Sequence, residues 1–343
     1  MKLKLDYLWM PSGLFSVPKK IIKSYESINK IPEMGDVIYG EIIQIKQHKS
    51  LENKSGRIHN VHEGMKSLFV FGNRYAEDYY EGFVPEEFIS KVDLLARSGI
   101  VGIVKHKNDS VIDPTRIKIL GYVVDKDNKV INTRNFNLIQ PKNKELTSFN
   151  KRSKLILVVG TTMNSGKSTT ATACCWALTK MGYNVRASKI TGTASLKDIL
   201  SMEDAGAEMA IDFTYLGYPS TYMLNEQELL NIVTSIDLKY CNNRKNFWVV
   251  EIADGILQRE TKMLLESDYI KRRIYKLIFA SHDALGAIGG IKILKDEFDL
   301  IPNAISGLCS SSPLAVRELS EICDIPVFNN LLPDLDVMSK LFF

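Results

Sequence analysis

The 343-residue sequence predicts an α/β protein: a domain with a mostly parallel sheet flanked by helices, preceded by a smaller, mainly-β domain of barrel or sandwich type. Three observations predict it. From Lys154 onward, continuous apolar runs (LILVV at 155–159, FWVVEIA at 247–253, KLIFA at 276–280 and IPVFN at 325–329) alternate with helix-length segments, as strands buried on both faces do. Between 36 and 135 the pattern differs, with short β-like runs broken by turn residues. A polar stretch at 140–153 separates the two patterns and reads as a linker. The expected boundaries are 1–139 for the β domain, 140–153 for the linker and 154–343 for the α/β domain.

In chain order, the N-terminal runs are 36–45, 65–71, 100–105 and 116–124. A further run at 129–133 is joined to the last of these by the polar DKDN in a hairpin. Gly40, Gly72, Gly82, Gly102 and Gly121 lie among or beside them, which suits a small barrel or sandwich. Residues 1–152 carry 25 basic and 18 acidic side chains, while the remainder carries 19 and 22. Acidic Glu77, Asp78 and Glu81 interrupt the aromatic Tyr75, Tyr79 and Tyr80. Such a face is a solvated surface more readily than a nucleic-acid platform, so nucleic acid is a disfavoured partner. No apolar run approaches the ~20 residues of a membrane span. The start, MKLKLDYLWMPSG, breaks any signal-peptide core with Asp6 and Pro11. Five cysteines lack CxxC or Cys/His spacing, so the expectation is a cytoplasmic protein with reduced thiols and no membrane partner.

The strongest motif follows the first strand of the α/β domain: Gly160, Thr161, Thr162, Met163, Asn164, Ser165, Gly166, Lys167, Ser168 and Thr169, then a helical run through Lys180 stopped by Gly182. A glycine loop between a buried strand and a helix points backbone N–H groups and the positive helix end into one concavity, which suits a polyphosphate. Lys167 would reach the β and γ phosphates. The Ser168 hydroxyl would hold Mg²⁺, which prefers hard oxygen donors. The domain is thus expected to be a P-loop NTPase domain, with Gly160, Thr161, Thr162, Asn164, Ser165, Gly166, Lys167, Ser168 and Thr169 around a nucleoside triphosphate.

Five residues separate the two glycines of GTTMNSGKST, and in this the loop resembles the dethiobiotin synthetase branch of the SIMIBI class of P-loop NTPases. The resemblance covers 154 to about 335 only. Ser188-Lys189-Ile190-Thr191-Gly192 looks like that family's lysine-led segment after the second strand, which implies that Lys189 contacts the γ-phosphate or substrate. Glu203-Asp204-Ala205 looks like its Asp-Ala step, which implies Asp204 as a Mg²⁺ ligand, with Asp198 as a competitor. Val249 to Gly255 is similar to the acidic end of the next core strand, which implies Glu251 as the second acidic ligand. Independently of the family, ligands of open parallel sheets bind beyond the carboxyl ends of strands, and Gly160, Lys189 and Glu251 fall at such ends. Asp254 reads as a water-mediated metal contact, an orienting group or the cap of a helix in GILQRETKMLL.

No Asn-Lys-x-Asp segment occurs in the α/β domain, which favours ATP over GTP. Asn329 and Asn330 are candidate base readers or turn formers. Residues 212–223 read as a packed loop or a substrate wall. Ser281-His282-Asp283 are sequence neighbours, whereas a catalytic triad is assembled by the fold. The resemblance implies a Mg²⁺ and ATP-dependent enzyme with Lys167, Lys189 and Glu251 as catalytic residues. Such an enzyme phosphorylates a small carboxylate or carbamate for ligation or cyclisation and works as a homodimer. The alternative is a nucleotide-driven switch whose β domain binds a protein or nucleic-acid partner, with 189–204 ordered by the γ-phosphate.

Overall fold

The computed structural model describes residues 2–3, 8–139 and 151–343. Most of the expected linker, 140–150, lies outside the described residues. The chain divides into two compact units. The first combines 1–139 with two later excursions, 192–197 and 212–223; the second holds 140–191, 198–211 and 224–343. Among the described residues no helix is long and apolar enough to cross a membrane.

Among the described residues, nine strands belong to the first unit: β1 (Ser24–Glu26), β2 (Val37–Gln44), β3 (Ser50–Glu52), β4 (Ile58–Asn60), β5 (Lys66–Phe71), β6 (Tyr80–Phe83), β7 (Lys91–Ala96), β8 (Ile100–Lys107) and β9 (Arg116–Val124). The pairings β9–β2–β5–β8–β7–β9 close a five-stranded ring, in which only β5–β8 is parallel. Closure removes the unpaired edges that an open sheet would expose. The interior is filled by Ile38, Ile42, Phe69, Phe71, Val92, Leu94, Val101, Ile117 and Tyr122. β1 adds to β9 and β6 to β8, while β3 and β4 form a separate two-stranded sheet. The expected hairpin after β9 is present in short form: Val124 bridges Val130 antiparallel, the Asp125 N–H donates to Lys129 O (3.0 Å) and the Ile131 N–H donates to Val123 O (2.9 Å). The returning chain also bonds to the start of β2, where Ile131 O accepts from the Val37 N–H.

The second unit alternates strands and helices: β10 (Lys154–Gly160), α1 (Lys167–Lys180), β11 (Val185–Lys189), α2 (Leu196–Asp204), β12 (Met209–Asp212), α3 (Glu226–Tyr240), β13 (Phe247–Glu251), α4 (Arg259–Glu266), α5 (Asp268–Arg273), β14 (Ile274–Ala280), α6 (Ala284–Phe298), β15 (Ala304–Ser306), α7 (Pro313–Ser320) and α8 (Leu335–Phe342). The sheet order is β12-β11-β13-β10-β14-β15. The β11–β13, β13–β10, β10–β14 and β14–β15 pairs are parallel. The central β10 and β13 are buried almost throughout, which is why their sequences read as unbroken apolar runs. The run at 325–329 is not a strand: it makes a single bridge, Val327 to Ile305, because Pro326 has no N–H to continue a ladder.

In the first unit His48 follows β2 half-buried, its Nε2 3.2 Å from Arg74 Nη1. A guanidinium only donates, so Nε2 accepts and the ring proton sits on Nδ1. Burial, reinforced by the Arg74 and Arg97 charges, pushes its pKa down from 6.5 to about 3. The unfolded chain takes up this proton near 6.5 while the folded chain does not. The contribution of His48 to stability is therefore complete above that pH and is lost as the pH falls toward 3. The ring resonances of His48 should stay flat in an NMR titration from neutral pH to about pH 4.5; an inflection near 6.5 would contradict the buried neutral ring.

Candidate functional site

The site is built where the carboxyl ends of five strands meet one loop. β10 ends at Gly160, and α1 starts at Lys167 after Gly166, which takes the left-handed conformation (φ 97°) at the cap position. The loop between them is held by backbone bonds. The Thr161 N–H donates to Ala280 O (3.0 Å) at the end of β14, and the Leu308 N–H, beyond β15, donates to Ser165 O (3.1 Å). The Ile256 N–H, beyond β13, donates to Gly160 O (2.9 Å). These approaches are so close that side chains are excluded. A Cβ on Gly255 would lie 2.2 Å from Thr161 O, and one on Gly307 would lie 2.4 Å from Ser165 O. The Asn330 side chain donates to Gly166 O (3.3 Å) and to Thr170 Oγ1 (3.1 Å), so it pins the start of α1.

Two lysines and two carboxylates converge on this loop. The buried Lys167 Nζ donates to Thr162 O (2.6 Å), and Ser165 Oγ lies 3.4 Å away. Ser168, in the first turn of α1, donates from Oγ to Glu251 Oε1 at 2.9 Å. Glu251 closes β13 in register with Val158 of β10 on one side and Lys189 of β11 on the other. Its other oxygen, Oε2, is buried and accepts no hydrogen bond. Burial pushes the Glu251 carboxyl above the usual carboxylate range, against the pull of Lys189, and Asp198 pushes the same way. Lys189 is buried and paired with Asp198 in the first turn of α2. Burial opposes its charge, but Asp198, Glu251 and Asp254 together hold its pKa above that of a free lysine. A fixed cation therefore stands beside an under-satisfied buried anion, at the end of a helix whose first amides face the same loop.

Several residues singled out in the sequence have other places. Asp204 is exposed in the last turn of α2, and the carboxylate of that helix paired with Lys189 is Asp198. A helix leaving a strand end starts at the site and runs away from it. Asp204 thus lies about 9 Å further along the axis, at 1.5 Å per residue. Thr162 and Asn164 are exposed on the loop and Thr169 is exposed on α1, whereas Ser165 is buried and Thr161 Oγ1 is buried without a hydrogen-bond partner. Asn329 accepts from the Leu331 and Leu332 N–H groups and forms a turn. The helix after Gly255 starts only at Arg259, capped by Gln258 rather than Asp254. His282 is exposed, Asp283 caps α6, and Ser281 Oγ donates to Asp283 O. Asn330 and Gly307 carry no motif of their own; the one available signal was their position just beyond apolar runs.

No protein-family model and no curated protein matches the chain. Among solved structures it is similar to the signal recognition particle receptor FtsY from Elizabethkingia anophelis in complex with GDP. That match has 16% identity and a TM-score of 0.39, over 60% of this chain and 68% of that one. A second FtsY structure from the same organism matches with 14% identity and a TM-score of 0.37, over 63% and 75%. Chloroplast FtsY from Physcomitrella patens matches with 14% identity and a TM-score of 0.35, over 60% and 67%. These neighbours do not carry the resemblance to dethiobiotin synthetases. Likenesses this distant leave the site to be read from its own residues.

Crowding at the strand ends has a direct consequence. Gly255→Ala forces a Cβ onto a backbone oxygen and should destabilise the protein by about 1–3 kcal/mol in urea unfolding. Gly289→Ala, on α6 with open space around the added carbon, should stabilise it by about 0.5–1 kcal/mol. Equal effects of the two would contradict the packing described.

Proposed function

We propose that the second unit binds a nucleoside triphosphate with Mg²⁺ and that cleavage of the terminal phosphate works a switch. One observation carries this reading: Lys167 and the Ser168 hydroxyl open a helix beside Glu251, whose second oxygen is buried with no donor. Ser168 and Glu251 are hard oxygen donors, and an orphaned carboxylate oxygen is the kind of atom that a cation satisfies. Bound there, Mg²⁺ would neutralise charge on the phosphate oxygens. The chain's own groups do the rest. The loop amides beyond Thr161 and the amino end of α1 bind phosphate oxygens, with Lys167 moving its ammonium from Thr162 O onto them. Lys189, kept charged by its acidic neighbours, meets the terminal phosphate.

The switch is favoured by the course of the chain. Immediately after Lys189 and Thr191 it enters 192–197, and after β12 it enters 212–223, both grouped with the β barrel. A terminal phosphate that draws Lys189 away from Asp198 would thereby act on segments shared with another unit. ATP is the proposed nucleotide, since no Asn-Lys-x-Asp segment is available to read guanine; GTP is its control. A second reading is phosphoryl transfer to a small carboxylate or carbamate in a homodimer. It rests on the two buried lysines, Lys167 and Lys189, at one site.

Lys167→Ala should abolish nucleotide binding in a titration with Mg·ATP. Glu251→Gln should act in two directions. It keeps an acceptor for Ser168 and removes a charge that burial disfavours, so the melting temperature of the nucleotide-free protein should rise. Hydrolysis should fall about 100-fold or more. Unchanged hydrolysis in both variants overturns the nucleotide reading. Product analysis separates the two functions: phosphate release stimulated by a macromolecule supports the switch, and a phosphorylated or cyclised small acid supports the transfer enzyme.

A further inference from the structure

Glu52 lies at the end of β3, 144 residues from Leu196 in sequence, yet its side chain meets the start of α2, the helix that carries Asp198. Its buried Oε1 accepts the Leu196 N–H at 2.9 Å, the first amide of α2. Glu52 is itself fixed, its own N–H donating to Arg97 O at 2.8 Å. The excursion that contains Leu196 is bound to the second excursion: Thr193 bridges Ser220, the Thr221 N–H donates to Gly192 O (2.9 Å) and the Ala194 N–H donates to Pro219 O (3.0 Å). Asp198 follows directly in sequence on 192–197, a segment bonded in this way. A helix start that is free to fray within its first turn carries the side chains of that turn with it. Asp198 is two residues from the fastened amide.

We propose that Glu52 is a positioning residue for the nucleotide site: by holding the first amide of α2 it sets where Asp198 meets Lys189, and so how Lys189 is presented to a terminal phosphate. The inference rests on the nucleotide reading given above. Glu52 touches no reacting group and acts through α2. Its effect is confined to steps that use Lys189, and binding of a nucleoside diphosphate, which depends on the loop and Lys167, is independent of it.

Two variants of the full chain separate positioning from a general role of the charge. Glu52→Gln keeps an oxygen at the same reach without charge, while Glu52→Asp keeps the charge and withdraws it by one methylene. With Mg·ATP, Glu52→Asp should lower kcat about tenfold, the size of one lost hydrogen bond, with ADP affinity unchanged. Glu52→Gln should stay close to wild type. Overturning results are the reverse order, Glu52→Asp active and Glu52→Gln impaired, wild-type kcat in both, or a parallel loss of ADP affinity. If wild type binds and hydrolyses ATP while the variants fail in these ways, only the positioning role falls; if wild type binds no nucleotide, the underlying reading falls and this inference with it.

Discussion

The second unit depends on backbone packed directly against backbone at the carboxyl ends of its strands. Thr161 and Ser165 present carbonyl oxygens to Gly255 and Gly307 at distances where no side chain fits. Each contact also supplies a hydrogen bond to a loop that has few side chains to hold it. The loop keeps its shape because the chain beyond β13, β14 and β15 clamps it from outside, in addition to the bonds to Thr162 O within it. A concavity lined by amides and clamped in this way is organised before any ligand arrives, so the ordering cost of binding an anion is met by folding.

The charged groups make the same point from the other side. Glu251 is buried with one oxygen satisfied and one not, and its carboxyl is pushed above the usual range. Lys189 is buried and stays charged because Asp198, Glu251 and Asp254 surround it. An arrangement chosen for stability alone would place apolar groups here. Carrying a buried, half-satisfied anion beside a fixed cation lowers stability in the free protein, a cost that the proposed binding of Mg²⁺ and phosphate would offset.

The parts legible in the sequence are those fixed by local physics. Unbroken apolar runs such as LILVV mark strands buried on both faces, and the glycine loop between such a run and a helix marks the cradle. Lys189 and Glu251 could be singled out because side chains at the ends of adjacent parallel strands converge, and the register does place them opposite one another. Choosing Asp198 over Asp204 depends on where α2 begins; Ser195 directly before Leu196, with Asp198 three residues on, is the local signal for that start. β12 and β15 have four and three residues, too short for any periodicity. The clustering of 192–197 and 212–223 with the barrel has no local signal, because it comes from contacts distant in sequence, such as Leu196 with Glu52 and Tyr215 with Leu138 and Phe15.

A Mg²⁺-dependent triphosphate site in the second unit is the central proposal. The most direct measurement is calorimetric titration of the full chain with a non-hydrolysable ATP analogue, with Mg²⁺ present and with it chelated. The account predicts one site per chain and an affinity that drops about tenfold or more, at least about 1.4 kcal/mol, when the cation is removed. Absence of binding, or binding of equal strength with and without Mg²⁺, would contradict it.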